Sequence, residues 1–177
     1  LVAGTRSSGK TSLLGSLMLE IIPKYRVIVI EDSLELPVES MRQLKYDILR
    51  MKVRSALLKT TTEVSADDGI RTSLRLGDSS LIIGEVRSVE AQALYEAMRV
   101  GALANVVAGT IHGASPYGVF DRVVNDLKVP ATSFKATDII IVANPIKTAD
   151  GLHSWKRVVQ ISEVRKHWKV DPLEEKG

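Results

Sequence analysis

The strongest constraint on this chain is a short loop near its start. Gly4-Thr5-Arg6-Ser7-Ser8-Gly9-Lys10-Thr11 fits the pattern G-x-x-x-x-G-K-S/T. It follows an apolar strand end, Leu1-Val2-Ala3, and opens an amphipathic helix. Such a loop bends so that successive backbone N–H groups point inward and form a nest for phosphate oxygens. Gly9 permits backbone angles and a close approach that a side chain would block. The helix beginning at Lys10 directs its positive end at the same point. Lys10 is expected to reach the β- and γ-phosphates of ATP, and the Thr11 hydroxyl to bind Mg²⁺. Gly4, Thr5, Arg6, Ser7, Ser8, Gly9, Lys10, Thr11 and Ser12 are the expected nucleotide cradle. The alternative is a Gly-rich connection in some other α/β fold.

The rest of the chain alternates in the way such a loop requires. Lys10 to Ile22 reads as a helix, with Leu13, Leu14, Leu17, Met18 and Ile21 at helical spacing and Pro23 as its stop. Arg26 to Ile30 reads as a buried strand. Residues 33–65 carry weaker signals, although Tyr46 to Val53 alternates like an exposed strand. Ala66 to Leu76 reads as a helix, Leu81 to Ile83 as a strand, and Val89 to Val100 as a helix ended by Gly101. Asn105 to Ile111 is a predicted strand and Pro116 to Leu127 a predicted helix. Ile139–Ala143 and Trp155–Val164 form a hairpin through Ala149-Asp150-Gly151. Apolar strands alternating with helices predict an α/β fold with a mostly parallel central sheet flanked by helices, plus a C-terminal antiparallel hairpin. The expected P-loop domain runs over residues 1–168, with a shortened first strand and an upstream domain lying outside this sequence. Residues 169–177 are expected to be a polar tail, frayed from Asp171 to Gly177.

Composition removes several classes. With 177 residues the chain is long enough for one domain with a sizeable core. No run approaches the roughly 20 apolar residues of a membrane span. The absence of cysteine excludes disulfides and thiolate metal sites, and fits a reducing compartment. Lys plus Arg number 24 against 21 Asp plus Glu, a net +3 that is too weak to argue for nucleic acid.

A phosphate loop needs acids to hold a metal shell and to orient water, and in parallel sheets these stand at the carboxyl ends of strands. Ile28-Val29-Ile30 runs into Glu31-Asp32, and Leu81-Ile82-Ile83 into Gly84-Glu85. Glu85 reads as the metal-shell acid, with a solvated strand-end carboxylate as the alternative. Val106-Val107-Ala108 leads to Gly109-Thr110-Ile111-His112. His112 is either a γ-phosphate sensor or a structural histidine. His153 and His167 read as surface residues. No spacing suggests a protein-ligated transition metal.

These strand-end motifs, in this order, resemble the secretion ATPase superfamily of type II and type IV secretion, type IV pili and the archaeal flagellum-like motor. Ile30-Glu31-Asp32-Ser33-Leu34-Glu35 resembles its Asp box, Gly84-Glu85-Val86-Arg87 its Walker B segment, and Thr110-Ile111-His112 its His box. The likeness covers about residues 1–145. Gly-Glu-Val-Arg-x-x-Glu-Ala with Ile-His-Gly-x-Ser is most similar to the archaeal branch. Ser7 stands where many relatives have Gly, Ser12 where many have Thr, and a common Pro before Walker B is missing.

The resemblance implies a RecA-like P-loop NTPase and an ATP hydrolase using Mg²⁺. It implies Glu31 as the base or water-orienting acid, supported by Asp32 and Glu35. Glu85 becomes the Mg²⁺-shell acid with Thr11, and His112 the γ-phosphate sensor. Arg87 is implied to pair with a local acid. Arg71 and Arg75 either face nucleotide or a neighbouring subunit, or are ordinary surface charges. A homo-hexamer, cytoplasmic and peripheral at the inner face of the membrane, acting on a membrane platform protein without nucleic acid, completes the implied picture. The rival readings are a RecA-like nucleic-acid translocase, a small-molecule P-loop kinase and a non-catalytic nucleotide-binding module.

Overall fold

The computed structural model describes residues 1–53, 64–73, 75–76, 79–88, 90–100 and 106–177. Its strands are β1 (Val2–Gly4), β2 (Arg26–Glu31), β3 (Ile48–Lys52), β4 (Ser79–Val86), β5 (Val107–His112), β6 (Ile139–Lys147) and β7 (Ser154–Glu163). They form one seven-stranded sheet in the order β3-β2-β4-β5-β1-β6-β7. The neighbours from β3 to β6 pair in parallel, and β7 closes on β6 antiparallel. The predicted α/β architecture with its C-terminal hairpin is therefore present.

The apolar strands are continuous runs because both faces of the sheet are covered. Ile28, Ile30, Leu81 and Ile83 face one way and pack with Ile70 of α3 (Ala66–Ser73), with Leu94 of α4 (Glu90–Val100) and with Val119 and Phe120. Val27, Val29 and Ile82 alternate to the other face. There they meet Leu14 and Met18 of α1 (Lys10–Met18) and Val38 and Met41 of α2 (Val38–Gln43). The two-residue period of the strands thus divides one sheet between two cores.

Several elements differ from expectation for local reasons. α1 is regular only to Met18. Beyond it, Leu19, Glu20 and Ile21 donate three residues back in a tightened last turn. The 46–53 segment is a single strand, β3, added in parallel to β2 at the sheet edge. α2 is only six residues long, too short for its periodicity to be read. The helix predicted from Pro116 is α5 (Pro116–Asp121) running into one π-helical turn, Arg122–Asp126, and a short α6 (Ala131–Phe134) follows. Val89, Gly77, Asp78, Gly101, Asn105 and residues 54–63 lie outside the described residues.

The C-terminal residues fold back on the domain. Trp168 is fully buried, edge-on to Phe120 at 5.6 Å, with the Lys135 ammonium 4.6 Å from its ring centroid. The Glu175 carboxylate accepts the backbone N–H groups of Lys169, Val170 and Asp171, and the Tyr117 hydroxyl donates to Asp171 at 2.9 Å. Hydrogen bonds that close on themselves hold this polar segment where a sequence pattern suggests fraying. Truncating Trp168→Ala opens a cavity beside Phe120 in the core. It is expected to cost about 3–5 kcal/mol, read by chemical denaturation.

Candidate functional site

The parallel strands bring the ends of β1, β2, β4 and β5 to one edge, where they border a cleft of about 540 Å³. Arg6 to Ser12, Glu31, Asp32, Glu35, Glu85, Arg87 and His112 line it, so the sequence motifs converge there. This volume is in the range of small-ligand sites.

The loop between β1 and α1 has the form phosphate binding needs. Gly9 takes the left-handed angles φ 90, ψ 18 and precedes α1 without a side-chain cap, which leaves that helix N-terminus open to an anion. The Ser8 hydroxyl is buried and has no partner among the described residues. Lys10 is 8% exposed, and its ammonium donates to the Thr5 carbonyl at 2.8 Å. Burial pushes the Lys10 pKa below its ordinary value, and the Glu85 and Glu35 carboxylates partly offset this. An open helix end, an orphaned hydroxyl and a partly desolvated ammonium fit the phosphates of a nucleotide. Ser7 adopts φ 60, a conformation L-residues pay to enter.

Glu85 is aimed into the cleft by a bulge. β4 pairs with β5 in register up to Ile83–Gly109 and resumes at Val86–Ile111, so Gly84 and Glu85 together oppose Thr110. The Thr110 hydroxyl, buried, donates to the Gly84 carbonyl at 2.6 Å and fixes the bulge. Glu85 then meets His112 Nε2 at 3.0 Å and Arg87 Nε at 2.7 Å. The His112 pKa lies below its ordinary value, first because of desolvation and next because of Lys10, while Glu85 pulls the other way. We therefore read the His112–Glu85 contact as a neutral imidazole donating its Nε2–H to the carboxylate, not as an ion pair.

Arg87 bridges two acids, with its terminal nitrogen 3.0 Å from Asp32. Its backbone is set by Glu90, whose carboxylate accepts the N–H groups of Arg87 at 2.6 Å and Ser88 at 2.9 Å. Glu90 is a positioning residue that the sequence reading matched only by its wording. Arg71 pairs at the surface with Asp67 and Glu96, and neither it nor Arg75 borders the cleft. His153 and His167 are exposed. Among the described residues no group of three or more His, Asp or Glu could hold a metal alone. A divalent ion at Thr11 and Glu85 would take its remaining ligands from phosphate and water.

Glu31 is placed differently from Glu85. It is 2% exposed, and its side chain lies against Gly84, where an added Cβ would stand 3.0 Å from Glu31 Cγ. Oε1 accepts the N–H groups of Glu35 at 3.0 Å and Leu36 at 2.9 Å. Oε2 is buried 3.3 Å from Arg50 Nε, close enough for charge attraction but without the alignment of a hydrogen bond. Arg50 donates to the Leu36 carbonyl at 2.5 Å. Arg50, which the sequence reading missed, thus holds Glu31 and the 32–37 loop together. Its signal was slight: a lone Arg on an edge strand. Removing it in Arg50→Met leaves a buried carboxylate without its cation. The expected cost is about 3 kcal/mol in denaturation, partly recovered in the double variant with Glu31→Gln. Ser7→Gly is expected to be at least as stable as the parent, whereas Ser7→Val should lose about 1–2 kcal/mol in the same assay.

The family described as Type II/IV secretion system protein matches residues 1–170. A protein of Methanocaldococcus jannaschii is 34% identical over 122 residues, which cover 69% of this chain and 42% of that protein. VirB11 of Agrobacterium fabrum is 27% identical over 177 residues, covering 100% of this chain and 49% of VirB11. The crystal structure of the VirB11 ATPase from the Brucella suis type IV secretion system, in complex with sulphate, has the same fold. Its TM-score is 0.71 at 21% identity, over 92% of this chain and 47% of that one. The chain spans less than half the length of these relatives. Because the family match runs over nearly all of its residues, this chain belongs to the Type II/IV secretion system protein family.

Proposed function

We propose that this chain is the ATP-hydrolysing motor domain of a hexameric ATPase that powers a secretion or type IV pilus-like assembly machine. The observation that carries the reading is the convergence of Lys10, Glu85, Arg87 and His112 on one cleft beside an open helix N-terminus. Sulphate in the Brucella suis relative supports it, since that anion resembles a phosphate group. ATP binds with its β- and γ-phosphates at the loop and Lys10. Mg²⁺, held through Thr11 and Glu85, would neutralise developing charge on the phosphates.

Glu31 orients the attacking water in this reading. Its carboxylate must first turn from Arg50, because in the present conformation Oε1 serves the Glu35 and Leu36 N–H groups and Oε2 is buried. Glu85 already borders the open cleft. His112 senses the γ-phosphate through the Glu85 contact, and its loss after hydrolysis shifts one domain against another. Work passes to a membrane platform protein from a cytoplasmic position at the inner face of the membrane. Among the described residues no helix is long and apolar enough to cross a membrane.

The test is ATP turnover by the full-length protein. Lys10→Ala should abolish binding and hydrolysis, and Glu85→Gln should bind ATP but turn over at least about 100-fold slower. Nucleotide should promote hexamers, and single-stranded DNA should leave the rate unchanged. Strong stimulation by DNA, or phosphate transfer to a small acceptor, would overturn the reading. Wild-type turnover in Glu31→Gln would remove Glu31 from the mechanism.

A further inference from the structure

The C-terminal hairpin reaches the phosphate loop at two points. Asn144 of β6 accepts the Thr5 N–H through Oδ1 at 3.2 Å, while its amide nitrogen donates to the Ala114 carbonyl at 3.3 Å. Beside it, opposite Pro145 in the antiparallel ladder, stands Lys156 of β7. Its stem lies along Gly9, where an added Cβ would stand 3.2 Å from Lys156 Cδ and 3.7 Å from its Cβ. Lys156 borders the same cleft as Lys10. Among the described residues no carboxylate forms an ion pair with it.

We propose that Lys156 is a nucleotide-binding residue whose ammonium pairs with the phosphate chain of ATP, an inference that rests on the ATP reading above. The residue beneath the Lys156 stem is the one that opens the helix toward an anion. A long, flexible side chain anchored there by its methylenes delivers a point charge to whatever anion the loop holds. Lys10 approaches from inside the loop, with its ammonium now on the Thr5 carbonyl, and Lys156 approaches from the hairpin side. Asn144 keeps the hairpin and the loop in register, so the second cation arrives as part of the fold. The hairpin thereby becomes an element whose position responds to bound phosphate.

The experiment uses the full-length protein and competition of ATP, ADP and AMP against a fluorescent ATP analogue. Lys156→Met keeps the apolar stem and removes the charge. It is expected to weaken ATP roughly 10-fold, with a smaller loss for AMP, a raised KM and little change in kcat. Lys156→Arg should restore most of the affinity, and the thermal midpoint of both variants should match the parent. ATP affinity in Lys156→Met within about two-fold of the parent would overturn the proposal, as would equal losses for ATP and AMP. Lys10→Ala separates the two readings. If that variant keeps full ATP affinity, the nucleotide site itself is misassigned and this inference falls with it.

Discussion

Six strands running in parallel leave their carboxyl ends at one edge, and every feature of the cleft depends on that arrangement. A parallel sheet is stable only when both of its faces are buried, which the continuous apolar runs Val27–Ile30 of β2 and Leu81–Ile83 of β4 allow. The phosphate loop supplies backbone N–H groups and a helix end, but it supplies no acid. The acids arrive because β2 and β4 end at the same level as β1. A shift of one residue in either strand would exchange the side chains it presents to the two cores and move its terminal carboxylate off this edge.

Two glutamates at adjacent strand ends have been given different surroundings. Glu85 sits on a bulge held by Thr110, beside an imidazole and a guanidinium, and faces the cleft. Glu31 turns toward the protein, where it ties the 32–37 loop through two backbone N–H groups and lies against Arg50. Gly84 makes the second arrangement possible, because a side chain there would occupy the space of the Glu31 methylenes. The glycine beside Glu85 therefore has a physical role in placing the other acid. The Glu31 carboxylate is tied to the 32–37 loop, whereas the Glu85 carboxylate is set by the sheet.

Much of this was legible in the chain. The loop, the strand ends carrying Glu31, Glu85 and His112, and the C-terminal hairpin all follow from patterns local in sequence. Such patterns report backbone angles, two-residue or helical periodicity and the placement of glycine, which a few neighbouring residues determine. The short α2, the π-helical turn after Asp121 and the docked tail around Trp168 were not legible. The tail depends on contacts with distant residues such as Phe120, and α2 and the π-helical turn are too short for a period to emerge.

By itself the sequence determined that a loop of the form phosphate binding needs would lead into an α/β domain and that acids would stand at its strand ends, because these are properties of local backbone chemistry. Only the tertiary structure decided which acid faces the cleft, which is clamped, and which side chains join them. Arg50 comes from the sheet edge, and Asn144 meets Thr5 across 139 residues of chain. Lys156 reaches Gly9 from an antiparallel strand. Charges and donors brought together across such separations leave no periodic trace, since strand order and register set their proximity, and those are fixed only when the whole sheet closes.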